Sequence, residues 1–164
     1  STHPGEEELV CDAIKTLKPS HPELKMILVP RHCERAAEVG EIIEKHGLSY
    51  KLSKLPEGET PNTAPVDVLL VNTTGELMNF FGATDIAYVG KSMAGQTGGH
   101  NIIEPAIFGK AIMHGPHMEN FRAVVLHDFL HYVRFHPYTI VGYRLVGTDK
   151  LDAGDSDELP NRRT

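Results

Sequence analysis

The chain has 164 residues, of which 40% are hydrophobic and 23% charged. That is enough for one domain with its own core, in the composition of an ordinary soluble globular protein. A formal net charge of −6 argues against the basic face that nucleic-acid binding needs, yet leaves room for a local basic pocket around a small phosphate ligand.

Cys11 and Cys33 read as free thiols, because a chain of this size needs no disulfide staple. No apolar run reaches the ~20 residues of a membrane span, and no signal peptide is visible, so a cytoplasmic setting is expected.

Strands and helices are expected to alternate. Residues 6–17 carry Leu9, Val10, Ala13, Ile14 and Leu17 at helical spacing. Pro4 and the acids Glu6, Glu7 and Glu8 suit a helix N-terminus, where the dipole is positive. Residues 25–30 (KMILVP) read as a buried strand, and residues 34–46 as a second helix, stopped by Gly47. A strand is expected at 48–52, a surface loop at 56–65 and a strand at 66–71. Then come a short helix at 73–81, a strand at 86–89, a glycine-rich loop at 90–99, a helix at 102–108, a strand at 111–114 and a helix at 118–126.

This order predicts an α/β fold: a Rossmann-like parallel sheet with helices on both faces. Such domains ordinarily open on a strand, often the central one. Here a helix start stands at the first residues, so the first strand is expected to be missing and the chain reads as a piece of a longer protein. The domain is expected to span residues 1–126, with a divergent extension at 127–148 and a disordered acidic tail at 149–164.

The richest stretch for chemistry runs from Gly95 to Pro105 (GQTGGHNIIEP). It lies between an expected strand and helix, at the edge where open α/β sheets bind ligands. Glycines let a backbone approach a phosphate, and helix-start N–H groups point at it. Asn101 and Glu104 have capping-box spacing, and a cap alone would account for them. The three glycines and His100 exceed what a cap requires. Glu104 is also able to accept bonds from two ribose hydroxyls.

Four further stretches reach the same edge. Arg31 can pair bidentately with a phosphate or carboxylate, and His32 can stack on or bond to a base; a solvated loop is the alternative. Thr73 and Glu76 have capping-box spacing again. Ser1, Thr2 and His3, and likewise Lys91 and Ser92, follow strand positions. His127, His131 and His136 invite a metal reading, but lack an accompanying HExxH, and read better as surface or core histidines.

Taken together, STHPGEEE, ILVPRHCERA, TTGELMNFFGATDIAYVGKS, GGHNIIEPA and GPHMENF resemble the C-terminal domain of the 3-deoxy-D-manno-octulosonic acid (Kdo) transferases. The resemblance runs from Ser1 to about Val125. It implies the C-terminal half of a glycosyltransferase-B fold, with CMP-Kdo as donor and a lipid A precursor as acceptor. It also implies a place at the cytoplasmic face of the bacterial inner membrane, in lipopolysaccharide biosynthesis, with no cofactor and no metal for donor binding.

Carried over by motif, Arg31 and His32 would meet the cytidine and its phosphate. Ser92 and the Gly98-Gly99 backbone would meet the phosphate and sugar, and Asn101 and Glu104 would hold the nucleotide. The family's acceptor-binding domain, which supplies the catalytic carboxylate, is not in this sequence, so no catalytic residue is expected here. A UDP-sugar transferase or epimerase domain, or a non-catalytic interaction domain, are the alternatives. The chain departs from the family at Asn72-Thr73-Thr74, where an Asp-Thr-Met is usual, and beyond Leu126.

Overall fold

A computed structural model describes residues 1–58, 60 and 63–125. The extension expected at 127–148, the tail at 149–164 and His127, His131 and His136 lie outside the described residues.

Three elements have the bounds expected from periodicity: helix α1 (Glu6–Leu17), strand β4 (Ile86–Val89) and strand β5 (Ala111–His114). The other strands are shorter than their apolar runs: β1 is Met26–Leu28, β2 is Tyr50–Leu52 and β3 is Val68–Leu70. Helix α2 (Ala36–Lys45) follows a 3₁₀ turn at Cys33–Arg35, and Gly47 stands just past its end. Helix α3 covers only Leu77–Gly82. Its expected first turn does not form because Gly75 takes φ +82°, in the left-handed region, which breaks the helical path. Helix α4 is Ile103–Ile107, and a 3₁₀ turn at Glu119–Phe121 precedes helical residues 122–125.

Every ladder among the described residues is parallel, as expected. The strands form two sheets rather than one: β1-β3-β2 and β4-β5. β3 pairs with both neighbours, Met26 and Tyr50 each aligning with Val68. In the second sheet Ile86 aligns with Ala111. Ser1 and Thr2 lie between the two. Thr2 continues the parallel pattern beside β1, donating from its N–H to Val29 O (3.0 Å) and accepting from Arg31 N–H (2.9 Å). On the other side, the Ser1 carbonyl packs against Gly90, directly after β4; a Cβ at Gly90 would sit 1.9 Å from that oxygen.

Each sheet has its own core. The larger unites Cys11 of α1, Val39, Ile42 and Ile43 of α2, and Leu28, Val68 and Leu70 of the strands. Ile43 and Leu70 are fully buried, so truncating either to alanine costs about 2–5 kcal/mol. Asp67, just before β3, pins the loops around this core: its carboxylate accepts from the Ser49 N–H and hydroxyl and pairs with Lys18. Those contacts hold its pKa well below the usual carboxylate range. The smaller core joins Val89, Ile102 and Met118. Among the described residues, no helix is long and apolar enough to cross a membrane.

Candidate functional site

The carboxyl ends of β1 and β4 and the residues at Ser1–His3 meet on one edge, the edge at which open parallel sheets bind ligands. Three imidazoles gather there from three separate segments. The His3 and His100 rings stack 5.0 Å apart with their Nε2 atoms at 2.9 Å, and His32 stands edge-on to His3 at 6.3 Å. Burial lowers the pKa of His100 to about 4, and the charges of His3, Arg31 and Lys91 push in the same direction. Burial lowers that of His3 as well, Lys91 and His32 adding to the effect against the opposing charge of Glu6. Several cationic or protonatable groups thus crowd one place, an arrangement that favours an incoming anion.

Beside them, Asn101 fixes the start of α4: its Oδ1 accepts from Ile103 N–H (3.0 Å) and its Nδ2 donates to Glu104 Oε1 (3.2 Å). The expected cap is therefore present on the asparagine side only. Glu104 bonds to the asparagine amide instead of returning to the backbone, which leaves Oε2 without a hydrogen bond among the described residues.

No family model matches the chain. It is 37% identical over 121 residues to the 3-deoxy-D-manno-octulosonic acid transferase of Haemophilus influenzae, covering 74% of this chain and 27% of that protein. It is 34% identical over 125 residues to the probable mitochondrial 3-deoxy-D-manno-octulosonic acid transferase of Arabidopsis thaliana, covering 76% and 28%. Among solved structures it is similar to the C-terminal CMP-Kdo binding domain of WaaA from Acinetobacter baumannii, with a TM-score of 0.69 at 32% identity, covering 80% of this chain and 66% of that one. By descent the chain belongs with the Kdo transferases. It spans about a quarter of the length of the curated relatives it matches, 27% of the Haemophilus protein and 24% of a Rickettsia felis relative.

The residues that the Kdo transferase resemblance singled out separate into two groups. Arg31 and His32 are exposed. The Arg31 guanidinium has no hydrogen bond or ion pair among the described residues, and His32 faces Glu34 at 3.5 Å. Asn101 and Glu104 are half-buried and share the edge. Ser92, Gly98 and Gly99 are buried, with their polar groups engaged internally. The Ser92 hydroxyl donates to Val89 O and accepts from Gly115 N–H, both at 2.8 Å. Gly98 N–H donates to Glu119 Oε2 at 2.7 Å, and Gly99 N–H to Lys91 O at 2.8 Å. Both glycines take positive φ, +99° and +70°, with Asn120 and Met118 against the positions a Cβ would fill. They shape the turn.

Two contributors went unassigned in the sequence. Glu119 anchors the Gly98 amide from 21 residues away, and its motif, GPHMENF, was the only signal. Glu6 reads in sequence as one of three helix-start acids. In the fold it is fully buried and reaches the loop after β4. Among the described residues, no group of His, Cys, Asp or Glu side chains is arranged to hold a metal ion.

Proposed function

We propose that the chain is the donor-binding domain of a glycosyltransferase that moves Kdo from CMP-Kdo to a lipid A precursor in lipopolysaccharide biosynthesis. The observation that carries this is the pairing, on one sheet edge, of the cations Arg31 and Lys91, beside the His3–His100 imidazoles, with the acceptor side chain of Glu104. A nucleotide sugar presents both complements: a phosphate for the cations and ribose hydroxyls for the carboxylate. The similarity to a CMP-Kdo binding domain supports cytidine as the base.

In this reading Arg31 and His32 meet the cytidine monophosphate and Glu104, steadied by Asn101, takes the ribose. Ser92, Gly98 and Gly99 hold the loop and turn that frame the sugar and phosphate. Transfer is an inverting displacement: an acceptor hydroxyl attacks the Kdo anomeric carbon while the bond to the CMP phosphate oxygen breaks. A carboxylate outside this chain takes the hydroxyl proton. Arg31 and its cationic neighbours stabilise the charge that grows on the leaving phosphate. The parent protein works at the cytoplasmic face of the bacterial inner membrane and alone contacts lipid; the isolated chain binds donor without turning it over.

Titrating the isotopically labelled chain with CMP and UDP, followed by amide NMR, tests the reading. CMP is expected to shift Arg31, His100, Asn101 and the residues around Glu104, with UDP weaker. Unmoved resonances at millimolar CMP would refute it, and a preference for UDP would redirect it to a UDP-sugar enzyme.

A further inference from the structure

Glu6 sits in the first turn of α1, where an acid ordinarily faces water and gains only from the helix dipole. Here its side chain is fully buried. Burying a carboxylate is costly unless its lone pairs are filled, and these receive five donors. Oε2 accepts from the N–H groups of His3 (3.0 Å) and Lys91 (2.8 Å). Oε1 accepts from Ser92 N–H (2.9 Å), Met93 N–H (3.1 Å) and the Tyr88 hydroxyl (3.0 Å). Burial opposes ionisation, but the bonds from Lys91, Ser92, Met93 and Tyr88 outweigh it and leave the pKa below the ordinary carboxylate value.

The three successive amides of Lys91, Ser92 and Met93 form a concave nest of the kind that binds anions. That nest is filled from within the protein. The loop around it is strained: Lys91 and Ala94 both take left-handed φ, at +59° and +53°, a conformation that costs a non-glycine residue about 1–3 kcal/mol. Charge-assisted bonds to one carboxylate can offset such strain. The shape also propagates. The carbonyls of Gly90 and Lys91 accept from His100 N–H (3.1 Å) and Gly99 N–H (2.8 Å), so the loop carries the turn that presents His100, Asn101 and Glu104.

We infer that Glu6 is a positioning residue: as an internal anion it holds the loop at 90–93 and, through it, the Gly99–His100 turn in the form that receives the donor. This rests on the donor-binding reading above.

Glu6→Gln is the direct test. The amide keeps one acceptor and turns an NH2 toward either His3 and Lys91 or Ser92, Met93 and Tyr88, donors facing a donor. The folded variant, compared with wild type at equal folded fraction by circular dichroism, should bind CMP at least about tenfold more weakly, the loss expected of unsatisfied buried donors. Its amide resonances at Lys91, Ser92, Met93, Gly99 and His100 should move together. A purely structural Glu6 would lower the melting temperature and leave the affinity of the folded fraction unchanged, which would overturn the inference.

Should the variant not fold, the wild-type chain supplies the test through its own acid titration. The charged and titratable groups facing Glu6 are the Ser1 amino group, His3, Glu7, Tyr88 and Lys91. The five amides should track the Glu6 carboxyl carbon through a single step. Gly99 and His100 amides that stay fixed as Glu6 titrates would overturn the inference. Wild type that fails to bind CMP while the amides still move together would instead sink the donor reading and leave the positioning role standing.

Discussion

His3 and His100 face each other with their Nε2 atoms 2.9 Å apart, although 97 residues separate them in the chain. At that distance one ring donates and the other accepts, so the pair requires at least one neutral imidazole. Both pKa values are depressed by burial first and by nearby cations second, that of His100 to about 4.

The sign of the resulting pH dependence follows. Below the ordinary histidine value of 6.5 the unfolded chain takes up protons that the folded pair refuses. Stability therefore falls as pH drops from 6.5 towards about 4. Urea unfolding at a series of pH values should show this slope, and His100→Asn should flatten it. A slope unchanged by the substitution would mean that the pair is not its source.

Glu104 makes a prediction about the sugar of the nucleotide. If its carboxylate takes the ribose, 2′-deoxy-CMP should bind wild type about tenfold more weakly than CMP, the scale of a hydrogen bond to a charged group. In Glu104→Gln the gap between the two ligands should narrow. Calorimetry with both ligands on both proteins reads this directly. An unchanged gap would leave the residue with no role beyond its bond to Asn101.

Gly90 tests the packing of Ser1 and Thr2 against the second sheet. An alanine Cβ there would meet the Ser1 carbonyl oxygen at 1.9 Å and Glu6 Oε2 at 2.8 Å. The first of these is backbone, which no rotamer change relieves. Gly90→Ala should lose at least about 2 kcal/mol of unfolding free energy. Gly82→Ala is the reference for an added methyl without a clash, because a Cβ there meets nothing within 4 Å and its φ, like that of Gly90, is not left-handed.

The two cysteines should differ sharply in reactivity. Cys11 is fully buried, and desolvation, with the charges of Glu8, Asp12 and Glu7, pushes its thiol up to about 11. Since the thiolate is the nucleophile, Cys11 should resist alkylation at neutral pH. Cys33, partly exposed in the 3₁₀ turn before α2, should react. Mass spectrometry after iodoacetamide should find one modified thiol in the native chain and two after denaturation.

Much of the fold was legible because it is written locally. The 3.6-residue stripe of α1 and the apolar runs of β4 and β5 have the bounds their periodicity implies. The shortened α3 was hidden because Gly75 looks like a tolerable helix residue until its φ is known. For the candidate site, the motifs single out residues that the fold brings to one edge: Arg31, His32, Asn101 and Glu104. What sequence spacing did not convey was direction. Ser92, Gly98 and Gly99 have their polar groups turned inward, and Glu6 meets partners 82 to 87 residues away. A bond of that sequence separation leaves no periodic trace.

The division into two sheets bears on how the molecule comes apart. Among the described residues, no strand ladder joins β1-β3-β2 to β4-β5. The seam is crossed by the Ser1 contact with Gly90, the His3–His100 pair, a bond from Gln96 to Pro4 O and the four bonds that Glu6 receives from residues 88–93. Cooperative unfolding ordinarily requires broad shared packing, and regions joined by few contacts exchange their amides as separate units. Hydrogen exchange should thus resolve two unfolding units, with the ionised Glu6 side chain making most of the hydrogen bonds between them. Protonating that side chain would release the smaller unit while the larger core stays closed, so acid would cleave the cooperativity of the domain before it melts the domain itself.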